Sequence, residues 1–459
     1  GLAQSRADSA LVGRILLAED RRDGADAALA TGLRHADPRV RRIAGRAGGR
    51  IRDTLFAARD SLPPVAAPPT WPEPAWRLRY RALADRRADC GALRTALADS
   101  AWQVRLRAAA LADPSCGADS AFVRVLRGWV DALPDDTRSR AAGGISWHAG
   151  AHAAVALARI APEEARARLG RLAAHPDRHA RLYAARAAAV LADTARLRAL
   201  ARDPDGNVQE AAIDALAKLA GHGADDVYLA ALRGDQAQAV RAAAVALKGS
   251  PAPGVAAAAN AAFAQWLRRA NESERDVRVA LLEAAGRPAS DDRPPPRRYD
   301  LPPDAVALAL GKDVRIRMTM SPDAGGGSFV VRLRGDVAPI MAARVLALVR
   351  AGYYDGGNWH RVEPDFVIQG GGPGTNEYVG HARYLRDELG TVPHPRGTVA
   401  MSTRGHDTGD AQWFINLKDN PRLVRDYTVF AEVVEGIETV DGILEGDVVA
   451  SARVEPAVR

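Results

Sequence analysis

The sequence predicts a chain built from two fold classes: an all-α superhelix of stacked helical hairpins, followed by a closed antiparallel β-barrel. Three observations predict it. One helical phrase recurs through residues 1–286, a proline-rich stretch interrupts it at residues 287–305, and residues 306–459 alternate apolar and polar in short runs between glycine turns. At 459 residues the chain is also too long for one ordinary core.

The recurring phrase is a short turn, an apolar anchor, an arginine and an alanine-rich run. It reads "ADPRVRRIAGRAGG" from Ala36, "ADSAWQVRLRAAAL" from Ala98, "AHPDRHARLYAARAAAVL" from Ala174, "RDPDGNVQEAAIDALAKLA" from Arg202, "GDQAQAVRAAAVAL" from Gly234 and "SERDVRVALLEAAG" from Ser273. On the anchors Ala180, Val208, Val240 and Val277 the spacings are 28, 32 and 37 residues, those of a helical hairpin with variable turns. Aspartate or serine caps each incoming helix, proline fits its first turn, and Val, Ala and Leu at i, i+3, i+4 and i+7 make an apolar stripe. One hairpin cannot bury that stripe, so neighbours must stack. The pattern resembles the HEAT-repeat family, whose turn Asp-Pro, following Val and next Arg are matched best by Asp37, Pro38, Val40 and Arg41. That resemblance implies a solenoid able to carry a protein partner. The prolines from Pro63 to Pro74 are expected to break its regular stack.

"RPASDDRPPPRRYDLPPDA" (287–305) reads as a semi-rigid spacer. "DVRIRMTM" and "SFVVRLRG" then alternate as strands around "DAGGGS", a hairpin turn rather than a phosphate cradle because no Lys-Ser/Thr follows the glycines. "APIMAARVLALVRAGYY" returns to helical spacing, and strands resume at "FVIQGG", "GTVAMST", "AQWFINL" and "TVFAEVV". Short strands with glycine turns and few helices predict the closed barrel.

In order, the strand pair, the helix of "DVAPIMAARV", "HRVEPDFVIQGG", "GTVAMS", "AQWFINL" and "YTVFAEVVEG" resemble the cyclophilins from Val314 to about Val454. The resemblance implies a peptidyl-prolyl cis-trans isomerase, or rotamase, acting on proline-containing polypeptide clients without cofactor or metal. It implies Arg361 and Gln369 as catalytic residues, with Phe366, Val367, Met401, Ser402, Phe414, Leu423 and Tyr427 binding substrate. Tyr427 stands where many members have histidine, Arg422 where many have tryptophan, and Ser402-Thr403 where Ala-Asn is usual. The alternative is a non-catalytic scaffold whose pocket binds proline segments.

The chemistry suits those residue types. Rotation about the bond before proline breaks no covalent bond but meets a barrier of about 18–20 kcal/mol; a hundred-thousandfold acceleration needs roughly 7 kcal/mol of it removed. A guanidinium can donate to the proline nitrogen as it becomes pyramidal, an interaction missing from the planar ground state.

Composition narrows the rest. No apolar run approaches the roughly 20 residues of a membrane span. The 56 acidic residues interspersed among 63 basic ones describe a mixed surface, so no nucleic-acid partner is expected; the contrary reading would rest on Arg41, Arg105, Arg181, Arg241 and Arg278. His148 and His152 have zinc-like i, i+4 spacing, but no glutamate stands between them and no third ligand is evident. Cys90 and Cys116 are either a disulfide or two free thiols. The opening at Gly1 without methionine is what a chain shorn of an export signal would show, though an engineered truncation would look the same; the first reading leads us to expect the disulfide and a bacterial periplasm or cell surface rather than the cytoplasm. Lys218, Lys248, Lys312 and Lys418 are the only lysines, an arginine bias that reports a GC-rich bacterial genome.

Overall fold

The structure, a computed structural model, describes residues 2–52, 66–134, 146–293, 300–381, 383–390 and 392–456. Parts of the proline run (63–65 of 63–74) and of the spacer (294–299) lie outside them. The N-terminal region is all helical: α1 (Leu2–Arg21), α2 (Ala27–Leu33), α3 (Pro38–Arg52), α4 (Ala75–Ala82), α5 (Cys90–Ala96), α6 (Trp102–Leu111), α7 (Ser120–Asp131), α8 (Trp147–Ile160), α9 (Pro162–Ala173), α10 (Arg178–Val190), α11 (Thr194–Leu200), α12 (Gly206–Leu219), α13 (Asp225–Ala231), α14 (Ala237–Leu247), α15 (Val255–Leu267) and α16 (Arg275–Ala284). The capping logic is visible: Asp177, Asp193 and Asp205 accept from the backbone N–H of His179, Arg196 and Asn207 at the starts of α10, α11 and α12.

From α4 onward the helices form two layers. Helices α4, α6, α8, α10, α12, α14 and α16 pack each on the next as an inner row, and the odd-numbered helices lie outside them. Alanine at the contacts lets the backbones approach closely; Ala184, Ala188, Ala212, Ala243 and Ala244 are fully buried. The recurring arginine serves the turns. Arg41, Arg105, Arg181 and Arg278 each donate to carbonyls of their own preceding turn, and Arg181 also binds Asp203 of the next. Their guanidiniums are thus engaged within the helical stack. Cys90 and Cys116 form a disulfide that ties the start of α5 to the turn before α7.

The remaining helices are α17 (Ala305–Ala309), α18 (Pro339–Arg350) and α19 (Ile437–Gly442), among strands β1 (Arg315–Met320), β2 (Ser328–Leu333), β3 (Arg361–Val362), β4 (Val367–Gly370), β5 (Thr398–Met401), β6 (Trp413–Asn416), β7 (Val429–Glu435) and β8 (Val449–Val454). All pairings are antiparallel in the order β3-β4-β6-β5-β7-β2-β1-β8. The closed barrel expected from the pattern is instead a curled eight-stranded sheet, a half-barrel, with β3 and β8 at its edges. Ahead of the two strands those edges meet at the bridge Asn358–Val448, flanked by backbone hydrogen bonds from Gly356 N–H to Val449 O and from Gly446 N–H to Trp359 O. Strand β3 has two residues, too few to carry a ladder around.

The two regions are not beads on a spacer. Helices α1–α3 share one apolar cluster with the sheet, through Val12, Ile15, Leu16, Val40 and Ile43. The proline run, read as a break in the stack, is docked on the sheet: Trp71 Nε1 donates to Val433 O, Arg334 to Ala66 O and Arg396 to Pro72 O. A Cβ on Gly397, at φ +88°, would come within 2.6 Å of the Trp71 ring, so glycine is needed on both counts. The inner row faces the same sheet, through Arg77, Gln103, His148, Tyr183, Asn207 and Arg404–Asp276. That face of the inner row is turned toward the chain's own C-terminal region. His148 Nε2 donates to Glu445 O at 2.7 Å, and His152, which burial pushes down to about 4, lies 2.9 Å from the Tyr183 hydroxyl.

Candidate active site

Strand register assembles the site. Arg361 pairs with Gln369, Gln369 with Phe414, and Phe414 with Ala400, so these residues form one row across β3, β4, β6 and β5. Directly opposed residues share a face. Val367 lies two residues from Gln369, and Ser402 two from Ala400, so both join that face. Phe366 stands in the turn between β3 and β4, where its N–H donates to Glu363 O. Leu423 closes a short 3-10 turn, Pro421–Leu423, and is 7% exposed.

Met401 falls elsewhere. It pairs with Trp413, in the row of Gly370, on the opposite face from Gln369, and it is fully buried. It packs beside Gly409 near Met341 of α18. The expected substrate contact is therefore replaced by a position in the sheet's interior. Trp359 and Trp413 are there too, edge to face at 5.1 Å.

The apolar pocket has a rigid floor. Phe414 meets Tyr427 edge to face at 5.3 Å and lies nearly parallel to His394 at 6.3 Å. Burial pushes His394 down to about 4, so the ring is neutral at pH 7. Asn416 Nδ2 donates to His394 Nδ1 and Thr398 Oγ1, and Asn420 Nδ2 donates to Asn416 Oδ1. Asn420 also donates to Phe366 O, which links the floor to the turn carrying Phe366. Arg422 does not leave a gap where an aromatic wall was expected: its guanidinium lies 4.5 Å from the Phe366 ring centre.

Arg361 is exposed, and among the described residues its guanidinium makes no hydrogen bond or ion pair; it lies 5.9 Å from the Phe366 ring centre. Gln369 is buried and held: Nε2 donates to Ser402 Oγ at 2.9 Å and to Gln412 Oε1 at 3.3 Å. Gln412 in turn donates to Asn376 O and Val379 O, and Asn376 Nδ2 donates to Asn207 Oδ1 at the start of α12. A polar chain thus runs from Gln369 into the helical region. The turn bearing Phe366 is gripped from α4 as well, by Arg77 on Pro364 O and Arg81 on Asp365. Gln412, Asn376, His394 and the α4 arginines were not singled out from sequence, because these pairings span tens to hundreds of residues. Gln412 does stand inside the recognised "AQWFINL" block, the one local signal available.

The group can bind a ring with the Arg361 and Arg422 guanidiniums beside it, and the row holds no nucleophile–base pair. Residues 315–459 match the family model described as "Cyclophilin type peptidyl-prolyl cis-trans isomerase/CLD". Over 132 residues the chain is 36% identical to "Peptidyl-prolyl cis-trans isomerase B" of Bacillus subtilis, covering 92% of that protein and 28% of this one. It is 34% identical over 129 residues to "Peptidyl-prolyl cis-trans isomerase" of Helicobacter pylori, covering 79% of that protein and 27% of this one. A crystal structure of a cyclophilin type peptidyl-prolyl cis-trans isomerase from Cryptosporidium parvum aligns at 22% identity and TM-score 0.30, over 32% of this chain and 99% of that one. Through its C-terminal region, the chain belongs to the cyclophilin-type peptidyl-prolyl cis-trans isomerases.

Proposed function

We propose that this chain isomerises peptide bonds preceding proline in polypeptide clients, with Arg361 as the catalytic cation. The observation that carries this reading is the unpartnered Arg361 guanidinium beside a built apolar pocket. The client's proline ring sits against Phe366, Val367, Phe414, Leu423 and Tyr427, and stays fixed while the preceding carbonyl swings. Arg361 then donates to the pyramidal proline nitrogen, a bond unavailable to the planar amide. Gln369, held by Ser402 and Gln412, orients the client's backbone next to it. Ser402, just past the end of β5 with its N–H held by Gln412 O, borders the client's path, and no cofactor enters any step.

The helical region from about residue 10 to 286 is a HEAT-type solenoid in this reading. It supports the catalytic hairpin through α4 and meets the client along the cleft between inner row and sheet. A scaffold that binds proline segments without turnover is the second reading, favoured by Arg422 on Phe366. The Cys90–Cys116 disulfide fits an oxidising compartment, so we place the protein outside the cytoplasm. No described helix is long and apolar enough to cross a membrane.

The test is the rate of cis-to-trans conversion of a short alanine-proline peptide with and without the full chain. Acceleration proportional to enzyme concentration is expected. Saturable peptide binding with the uncatalysed rate unchanged would leave the scaffold reading.

A further inference from the structure

The inner row does not lie flush on the sheet. Two cavities of about 630 and 340 Å³ separate them, and Arg186, His360, Arg361 and Glu445 line both. The residue proposed as catalytic thus forms a wall between the proline pocket and a space roofed by the solenoid.

Among the described residues, buried polar groups in that space lack partners. Asn358, 6% exposed, has an unpaired Oδ1, and both ring nitrogens of His360 are buried without a hydrogen bond. Such groups carry a cost unless something else satisfies them. An extended polypeptide presents N–H and C=O groups alternately, and so suits an amide oxygen, an imidazole and a guanidinium together.

The far wall of the larger cavity is acidic. Glu210 and Asp214 stand one turn apart on α12, and Glu377 faces them from the loop after β4. Arg241 and Lys218 are the cations acting on this group, with Arg241 3.8 Å from Glu210. Burial pushes Glu210 up to about 7, with Asp214 adding to the effect. The other charged pairs in the cavity are matched, Arg178 with Asp205 and Arg186 with Glu445.

Arg241 marks the place as exceptional. It occupies the phase at which Arg41, Arg181 and Arg278 grip their turns, and Gln209 does so through Asp203 O. Arg241 instead leaves its turn and lies 3.7 Å over the Tyr378 ring on the sheet side of the cavity.

We propose that this cavity is a client subsite beyond the proline pocket, where Glu210, Asp214 and Glu377 receive a lysine or arginine side chain of the same polypeptide. The inference rests on the isomerase reading for its account of what enters, and it makes the solenoid a specificity-determining part of the enzyme.

The experiment uses the full chain and the Glu210→Gln/Asp214→Asn double variant. Peptides carry one alanine-proline bond, with lysine, alanine or glutamate placed two to six residues from the proline on either side. Turnover gives KM and kcat, and anisotropy of a labelled lysine peptide gives affinity without turnover. At one placement the lysine peptide should show a KM about tenfold below its glutamate counterpart, a difference of one decade in binding. The double variant should erase that gap and leave the alanine peptide's kcat and KM unchanged. Equal KM and equal affinity for all three peptides at every placement would overturn the subsite, while alanine-peptide turnover kept the isomerase reading. Preferential lysine-peptide binding that the double variant abolishes, with no turnover of any peptide, would keep the subsite and overturn the isomerase reading.

Discussion

The helices meet the sheet along two contacts of opposite character. At the back, α1–α4 and the proline run join the sheet through an apolar cluster and buried arginines: Arg46 and Arg50 are 5% exposed and Arg77 is 0%. Arg50 alone reaches Glu19, Val337 O, Glu388 O and Leu389 O. At the front, α10 to α16 touch loops beside the row of Arg361, Gln369 and Phe414 through partly exposed polar pairs, such as Arg178–Thr375 and Asn207–Thr375, with cavities between. The back contact holds the fold together. The front one leaves room and unsatisfied groups for a ligand.

Breaking the back should therefore cost stability first. Arg77→Ala leaves Pro364 O without this donor and leaves Asp441 and Leu417 O to Arg396 alone, and the loss in chemical denaturation should be about 1.5–3 kcal/mol. Cys90→Ser with Cys116→Ser removes a link within the helical stack, away from both contacts; a loss of about 2–4 kcal/mol is expected in helical unfolding, with alanine-proline peptide turnover retained. Retention of both stability and cooperativity after Arg77→Ala would mean the two contacts do not differ.

His394→Gln sharpens the comparison through pH. The folded imidazole sits near 4 and the unfolded one near 6.5. The wild type's contribution from this group is thus present above 6.5 and lost as pH falls toward 4. Between pH 7 and 4 the wild type should lose up to about 3 kcal/mol that the variant does not, read by denaturation at each pH. Asn207→Ala tests the front with the smallest effect. Stability should change by about 1 kcal/mol or less, while loss of the chain through Asn376 and Gln412 should lower kcat by less than about tenfold.

The sequence made the elements legible because their signals are local. Caps, turn prolines and alanine stripes marked the helices, and alternation between glycines marked the strands. Arg361, Gln369, Phe414 and Ser402 came out on one face because their blocks carry the period of two. The same period excludes Met401, whose neighbour Ser402 occupies that face. What escaped was long-range: α1–α3 entering the sheet's cluster, Trp71 seated on Gly397, and the sheet left open at β3. No local pattern records a contact across 300 residues: residues 66–74 do interrupt the helices, as their prolines signal, but nothing local marks them as docked on the sheet.

The central claim is that a forked cation at position 361 does the catalysis. It is tested most directly by kcat/KM on an alanine-proline peptide for the full-length wild type, Arg361→Ala and Arg361→Lys, with circular dichroism confirming the fold of each. Both variants should lose about a hundredfold to a thousandfold, as for removal of a preorganised donor, because lysine lacks the planar fork. Wild-type turnover that survives Arg361→Ala within twofold would contradict the account.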